Sequence, residues 1–379
     1  MWYFRSPEIV FGEDSLSFLS SLEIKRAAIV TDRNLAHTDL PLRVKGALPE
    51  GAESMVLGDI SEEPPLSEMT THLEGIKEFA PDWFVALGGG SAMDTAKILF
   101  FLYERPDLTV YDLTPLIKLG LRKKSRLLAI PTTSGTGSEC TWAAVLSIQG
   151  ENRKHELASP EILPDYALLD PSFVLGLPME QTRNTGSDAI AHAVEAYGST
   201  WRNPYSDAMA EKALEMITGS IVEVTKDPGN MELRNQVHIG ASMAGLAFSN
   251  SQIGLVHALG HALGARFKLP HGEAVAFFLP HVVRFNYDAC PGRYDRLNAI
   301  IPGRYREASL AGSLENILAS IGQVRGGNDA GIDEKTYVSS LDGLVERAAE
   351  STGMVTNPKD SNSTDLRNLF IEAYEAPPP

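Results

Sequence analysis

The sequence has few cysteines and no long hydrophobic run. Its 379 residues include two cysteines, too few for a disulfide framework but consistent with a reducing, intracellular compartment. No apolar segment approaches the roughly 20 residues of a membrane-spanning helix, and the N-terminus lacks the basic region and apolar core of a signal peptide. We therefore expect a cytoplasmic protein with no membrane partner.

Positive charge is scarce relative to negative charge. The chain has 33 lysines and arginines against 49 aspartates and glutamates, a net charge of −16, which argues against nucleic acid or an anionic membrane surface as a partner. A hydrophobic content of 43% and a charged content of 22% are those of an ordinary globular protein. The length suits two domains of roughly 100–200 residues each.

Three of the nine histidines lie within Gly254–Glu273. His257 and His261 are four residues apart, so on a helix they share one face, and their small apolar neighbours predict that this helix is buried. Leu269-Pro270 is predicted to end the helix, which places His271 in the following turn. Such histidines can converge on one metal ion, although a buried histidine is more often a hydrogen-bonded core residue.

Asp188 and His192 form a second pair four residues apart, within a helix predicted over Gln181–Thr200. Their neighbours are apolar, so both groups are expected to be buried, and buried polar groups need partners. A metal ion would supply one, whereas a solvated aspartate and a core histidine are the structural alternative. With His257 and His271 they make a set of one carboxylate and three imidazoles.

Two loops in the first half each follow a predicted strand. Trp83–Leu87 leads into Gly88–Ser91 and a helix over Ala92–Tyr103, an order that suits phosphate binding because glycines admit the ligand and the helix start attracts anions. The Gly-x-Gly-x-x-Gly fingerprint is absent, and a tight turn is the alternative. The strand Leu127–Pro131 leads into Thr132–Glu139, rich in hydroxyls and glycines, for which a solvated loop is the alternative. We expect both loops at the carboxyl edge of one sheet, where doubly wound folds bind nucleotides.

Helical patterns dominate after Asp170-Pro171, whereas earlier segments such as Ala27–Asp32 read as buried strands. We predict an α/β nucleotide-binding domain with a Rossmann-like parallel sheet over residues 1–177, then an all-α metal-binding and catalytic domain over residues 178–379. Apolar spacing predicts further helices at Leu66–Phe79, Glu211–Val224, Leu233–Phe248, Leu314–Ile321, Tyr337–Ser351 and Asp365–Tyr374.

Short motifs run through nearly the whole chain. They are Phe4-x-x-Pro7-x-Ile9-Val10-Phe11-Gly12, Gly88-Gly-Gly-Ser91-x-x-Asp94-x-x-Lys97, Pro131-Thr-Thr-x-Gly-Thr-Gly-Ser-Glu139, Pro164-x-x-Ala167-x-x-Asp170-Pro171, Thr185-Gly-x-Asp188-Ala-x-x-His192-Ala-x-Glu195 and Val256-His257-x-x-x-His261-x-x-Gly264 to Pro270-His271-Gly272. Each motif alone is modest, but their order and spacing are specific. With them, the chain resembles the iron-containing, or group III, alcohol dehydrogenases.

The resemblance implies a metal ion, with Fe²⁺ expected and Zn²⁺ as the alternative, and a dinucleotide, with NAD expected and NADP as the alternative. The implied metal ligands are Asp188, His192, His257 and His271. The implied cofactor-binding residues are Asp32, Gly88, Gly89, Gly90, Ser91, Asp94, Thr132, Thr133, Thr136, Lys154 and Leu177.

Asp32 falls where family members that prefer NAD carry an acid, which accepts hydrogen bonds from the adenine ribose and repels a 2′-phosphate. Where many members have Asn-Pro beside the adenine, this chain has Pro64-Pro65. That departure removes a polar contact to the cofactor.

The implied function is a metal-dependent, NAD-linked alcohol dehydrogenase acting on a small alcohol, aldehyde or ketone, in a homodimer or higher homo-oligomer. A divalent ion would act as a Lewis acid on the alcohol oxygen, hydride would pass between the carbinol carbon and nicotinamide, and His261 would relay the proton.

Three alternatives remain. A sugar-phosphate cyclase resembling dehydroquinate synthase would share the fold, but it would need a basic cluster that is not evident near the histidines. A metal-free reductase resembling maleylacetate reductase is disfavoured because all four metal ligands are present. A non-enzymatic nucleotide-binding or metal-binding protein would not need both the ligand set and the cofactor loops.

Overall fold

The structure is a computed structural model that describes residues 3–61, 64–147 and 154–376. It contains two compact units, one comprising Arg5–Gly176 and the other comprising Leu177–Pro379 together with the N-terminal residues through Phe4. Within the described ranges, no helix combines the length and the apolar character needed to cross a membrane.

A parallel sheet forms the centre of the first unit. Its strands are β1 (Glu8–Phe11), β2 (Arg26–Asp32), β3 (Glu53–Ile60), β4 (Trp83–Gly88), β5 (Arg126–Pro131) and β8 (Tyr166–Leu169), while β6 (Ala143–Ser147) and β7 (Lys154–Ala158) form a separate antiparallel pair. The spatial order is β1-β8-β5-β4-β2-β3, and each neighbouring pair is parallel. Carboxyl ends of parallel strands meet at one edge, so the loops after β2, β4 and β5 are neighbours.

Both faces of this sheet are covered. Alternate residues of one strand enter different cores: Phe84 and Ala86 pack in one apolar cluster, and Val85 and Leu87 pack in the other. Burial on both faces explains why these strands are continuous apolar runs in the sequence. The helices of this unit are α1 (Leu40–Ala47), α2 (Leu66–Thr71), α3 (Leu73–Phe79) and α4 (Gly90–Glu104).

Helices build the second unit around one large apolar core. They are α5 (Met179–Gly198), α6 (Pro204–Lys226), α7 (Met231–Ser249), α8 (Leu255–Phe267), α9 (His271–Asn286), α10 (Pro291–Ile300), α11 (Leu310–Ser320), α12 (Glu334–Ala349), α13 (Gly353–Thr356) and α14 (Ser363–Tyr374). The predicted fold class, a parallel sheet followed by a helical region, is confirmed.

Two local predictions were wrong. The segment Leu66–Phe79 is divided at His72 into α2 and α3. His271 does not lie in a turn but is the first residue of α9, directly after Pro270. Proline is well tolerated just before or at a helix start, so Leu269-Pro270 ends one helix and introduces the next.

Candidate functional site

Three helices bring the predicted metal-binding side chains together. Asp188 and His192 lie one turn apart on α5, His257 lies on α8, and His271 begins α9. The Oδ1 atom of Asp188 is 3.7 Å from Nε2 of His192, 3.3 Å from Nε2 of His257 and 3.2 Å from Nε2 of His271. Three imidazole nitrogens from three helices therefore surround one carboxylate oxygen.

The cluster is closed on one side and open on the other. Donor atoms of Asp188, His192 and His257 all lie within 4.8 Å of one another, and these three residues are buried. His271 lies outside that tight group, and its side chain is 44% exposed. The half-buried His261 lies beside it, with ring centroids 5.1 Å apart. A substrate would thus reach the cluster from the side of His261 and His271.

Two buried carboxylates make this cluster favour positive charge. Burial alone would raise the pKa of Asp188, but the charges of His192 and His271, with hydrogen bonds from His257 and His271, hold it well below its usual range. Burial alone would lower the pKa of His257, but Glu195 and Asp188 raise it to about 10. A proton or a divalent cation can supply the charge that these carboxylates require.

The donor set fits a divalent transition-metal ion. Imidazole nitrogen and carboxylate oxygen are ligands of both iron and zinc. Ligand atoms about 2.1 Å from a tetrahedral centre lie about 3.4 Å from one another, and the spacings around Asp188 Oδ1 are 3.2–3.7 Å. A doubly charged ion would also balance the two acids Asp188 and Glu195, which are 2% and 6% exposed.

Two further residues contact this cluster, Glu195 and Phe248, and neither was predicted to take part in the site. Glu195 Oε2 lies 2.5 Å from Nδ1 of His257, and the Phe248 ring stacks on His192 with centroids 4.2 Å apart. Glu195 follows Asp188 by seven residues and His192 by three, so helical spacing alone placed it on the same face. Phe248 comes from α7, and no local pattern pointed to it.

The two predicted cofactor loops meet at the carboxyl edge of the sheet. Gly88 and Pro131 end β4 and β5 as partners in register, and the Thr132 N–H donates to the Gly88 carbonyl at 3.0 Å. A Cβ added to Gly89 would lie 3.3 Å from Thr133, and one added to Gly90 would lie 3.1 Å from Thr136. Any residue other than glycine at position 89 or 90 would therefore push against the second loop.

The start of α4 fits the phosphates of a dinucleotide. Gly88 has φ of +152°, and a Cβ there would lie 2.6 Å from Cβ of Ala92, so glycine is required. The N-cap of this 15-residue helix is Gly89, which provides no side-chain capping bond. The first N–H groups of the helix are therefore not capped by a side chain of the N-cap residue, and such groups attract phosphate.

Asp32 ends β2 beside the first loop. Its Oδ1 accepts hydrogen bonds from the N–H groups of Asn34 and Leu35 at 2.9 and 3.0 Å. Its Oδ2 lies 3.5 Å from the position that a Cβ on Gly88 would take. One carboxylate oxygen thus orders the turn, and the other faces the glycine loop.

Asp94 on α4 tethers the second loop. It accepts from the Ser138 hydroxyl at 2.8 Å and from the Val145 N–H at 2.9 Å. One turn later, the buried Lys97 donates to the Ser138 and Ala143 carbonyls at 2.7 and 2.8 Å. Burial lowers the pKa of Lys97 to about 8 against the opposing charge of Asp94. These contacts give Asp94 a structural role, in addition to the cofactor contact predicted from the sequence.

The remaining predicted cofactor residues are Ser91, Lys154 and Leu177. Ser91 is exposed in the first turn of α4. Lys154 begins β7, but its side chain lies outside the described part of the structure. Leu177 begins the second unit, where its carbonyl accepts a hydrogen bond from the buried Arg234 at 3.1 Å.

Two family models match successive parts of the chain. The model described as iron-containing alcohol dehydrogenase matches residues 6–171. The model described as Fe-containing alcohol dehydrogenase family, C-terminal, matches residues 182–374.

Comparison with curated proteins and solved structures agrees with the family models. The chain is 33% identical over 384 residues to an NADPH-dependent butanol dehydrogenase of Clostridium saccharobutylicum, covering 99% of this chain and 98% of that protein. It is 32% identical over 406 residues to aldehyde-alcohol dehydrogenase 2 of Entamoeba histolytica, covering 98% of this chain but 46% of that protein, so it spans about half the length of that relative. The crystal structure of a sulfoacetaldehyde reductase from Bifidobacterium kashiwanohense in complex with NAD+ matches with a TM-score of 0.89 and 26% identity, covering 100% of both chains.

Proposed function

The chain belongs to the iron-containing alcohol dehydrogenase family, and we propose that it is a metal-dependent, NAD-linked alcohol dehydrogenase that interconverts a small alcohol and its aldehyde or ketone. The observation that carries the proposal is the convergence of three imidazole nitrogens on Asp188 Oδ1. We assign nucleotide binding to residues 1–177 and metal binding to residues 178–379.

The proposed metal ligands are Asp188, His192, His257 and His271. A divalent ion held there would supply Lewis acidity toward the substrate oxygen, which favours loss of hydride from the adjacent carbon. Asp188 and the three imidazoles would hold the ion, while the exposure of His271 leaves one side of the cluster accessible to a small molecule.

The proposed cofactor is NAD, with its pyrophosphate on Gly88, Gly89, Gly90 and Ser91 and with Thr132, Thr133 and Thr136 lining it. The start of α4, where the N-cap Gly89 provides no side-chain capping bond, and the close approach of the two loops support this assignment. The relatives include an NADPH-dependent enzyme and an NAD+ complex, so family membership alone does not decide between the two cofactors. Asp32 is the proposed determinant of the preference for NAD over NADP. Asp94, Lys154 and Leu177 complete the proposed set.

His261 is the proposed proton relay. It is half-buried, and its ring lies 5.7 Å from that of His257 and 5.1 Å from that of His271. Histidine titrates near neutral pH and can pass a proton between substrate and solvent. His261→Gln should slow turnover roughly 10²-fold and change the pH–rate profile, with metal content and NADH affinity retained. An unchanged rate and profile at full metal occupancy would exclude the relay.

We propose a cytoplasmic location and a homodimer or higher homo-oligomer. Neither Cys140 nor Cys290 forms a disulfide within the described part of the chain, as expected in a reducing compartment. In the described sheet β1 pairs with β8 alone, and Phe11 on this edge strand is 63% exposed. Light scattering of the purified protein tests the oligomeric state.

The decisive experiment measures NADH oxidation across small aldehydes and ketones, with Fe²⁺ or Zn²⁺ added to metal-free protein. His271→Ala should lose most activity and bound metal. His281→Ala is the matched control, because His281 lies on the same helix away from the cluster. Full metal content and activity in His271→Ala, or no carbonyl-dependent NADH oxidation by the unmodified protein, would refute the proposal.

A further inference from the structure

Glu195 joins two helices of the metal cluster through both of its oxygens. Its carboxylate lies on α5 and is 6% exposed. Oε1 accepts the backbone N–H of Val256 at 2.6 Å and lies 3.4 Å from the N–H nitrogen of His257. Oε2 lies 2.5 Å from Nδ1 of the His257 ring. One side chain therefore contacts both the backbone and the ring of a proposed metal ligand.

The first contact caps α8. Val256 and His257 occupy the second and third positions of the helix, whose N–H groups lack partners within the helix. The N-cap residue is Gly254, which supplies no side-chain capping bond. A Cβ on Gly254 would lie 3.0 Å from Glu195 Oε1, so glycine leaves room for the acid. Glu195 thus replaces the missing cap from a neighbouring helix and places negative charge at the positive helix end.

The second contact decides which nitrogen of His257 carries hydrogen. A carboxylate only accepts, so the hydrogen between Oε2 and Nδ1 belongs to Nδ1. In the neutral ring this leaves the lone pair on Nε2, the atom that lies 3.3 Å from Asp188 Oδ1. Only this tautomer presents a donor atom to an ion beside Asp188.

We propose that Glu195 is a positioning residue for the metal site: it holds the start of α8 and the tautomer of His257, so that Nε2 faces the ion. This proposal rests on the proposed function of the cluster. A carboxylate is needed because both oxygens accept hydrogen bonds. Glutamine has the same shape but one acceptor, so its amide must turn a donor toward either the N–H of Val256 or Nδ1 of His257.

The test compares metal binding by three proteins: the unmodified protein, Glu195→Gln and Glu195→Asp. Zn²⁺ affinity is measured by competition against a chromophoric chelator, and the metal environment is measured from the absorption spectrum of the Co²⁺ form. Glu195→Gln should bind Zn²⁺ roughly 10–100-fold more weakly with an altered Co²⁺ spectrum. Glu195→Asp keeps two acceptors and should recover part of the affinity. Asn230→Ala is the control, because it removes the cap of a different helix. Asn230 accepts a hydrogen bond from the Leu233 N–H at the start of α7, at 3.2 Å.

Thermal unfolding of the metal-free proteins separates positioning from capping. Asn230→Ala should lower the melting temperature without changing the Zn²⁺ affinity of the folded protein, whereas Glu195→Gln should lower both. Unmodified Zn²⁺ affinity and an unmodified Co²⁺ spectrum in folded Glu195→Gln would overturn the positioning role alone. Failure of the unmodified protein to bind a divalent ion would overturn the proposed function as well.

Discussion

Gly272 packs directly against the backbone of α5, and we expect that no larger residue can replace it without moving α9. Gly272 is the second residue of α9, directly after His271, and a Cβ added to it would lie 1.9 Å from the Asn184 carbonyl oxygen and 2.5 Å from its carbon. The obstacle is backbone in the middle of a helix, so it cannot rotate away. Gln323 also holds this junction, with its amide 3.1 Å from Asn184 Oδ1 and 3.4 Å from the Gly272 carbonyl.

Gly272→Ala should therefore displace the start of α9. Relieving the overlap needs a shift of about 1 Å, and overpacking of this kind costs about 1–3 kcal/mol of folding stability. Metal sites tolerate deviations of about 0.2 Å in ligand distances. His271 Nε2, now 3.2 Å from Asp188 Oδ1, would move out of ligand range, so the variant should lose metal affinity as well as stability.

Gly219→Ala on α6 is the matched substitution, because a Cβ there meets nothing within 4 Å. It should raise stability by about 0.5–1 kcal/mol, since glycine is a poor helix former, and leave metal binding unchanged. The assay is denaturant unfolding of both metal-free variants together with Zn²⁺ titration. If Gly272→Ala matched the unmodified protein in both measurements, this glycine would not set the position of His271.

Asp32→Gly should reduce the preference for NAD over NADP, because the acid no longer repels a 2′-phosphate; equal kcat/KM with both cofactors in the unmodified protein would contradict this role. Lys97→Met removes the ammonium that holds the Ser138 and Ala143 carbonyls. NADH should therefore bind about tenfold more weakly, as measured by fluorescence titration, while the metal content stays unchanged. Burial and the charge of Arg284 lower the pKa of His281 from 6.5 to about 4. The unfolded chain therefore binds the extra proton first, and the free energy of unfolding should fall by about 1–3 kcal/mol as pH drops from 6.5 to 4. His281→Gln should make the free energy of unfolding depend less on pH in this range. The same pH dependence in the variant and the unmodified protein would show that His281 is not the group responsible.

Elements buried on both faces were predictable from the sequence. The strands predicted at Ala27–Asp32, Trp83–Leu87 and Leu127–Pro131 each occur with one additional residue, because a fully covered parallel strand must be apolar throughout. The edge strand β1 and its short neighbour β8 were not predicted. They have four residues each, and the burial of β1 is partial, so neither leaves a clear periodic pattern.

The sequence by itself determined the order of sheet and helices, the glycine loop at a strand end, and which residues could donate to a metal. These depend on local spacing, which periodicity and residue chemistry record. Only the tertiary structure decided that the Nε2 atoms of His257 and His271 lie 3.3 and 3.2 Å from Asp188 Oδ1. It also decided that Glu195 contacts both the ring of His257 and the backbone at the start of α8. Those distances depend on how α5, α8 and α9 pack, and residues 69 positions apart in the chain carry no local pattern that encodes such a contact.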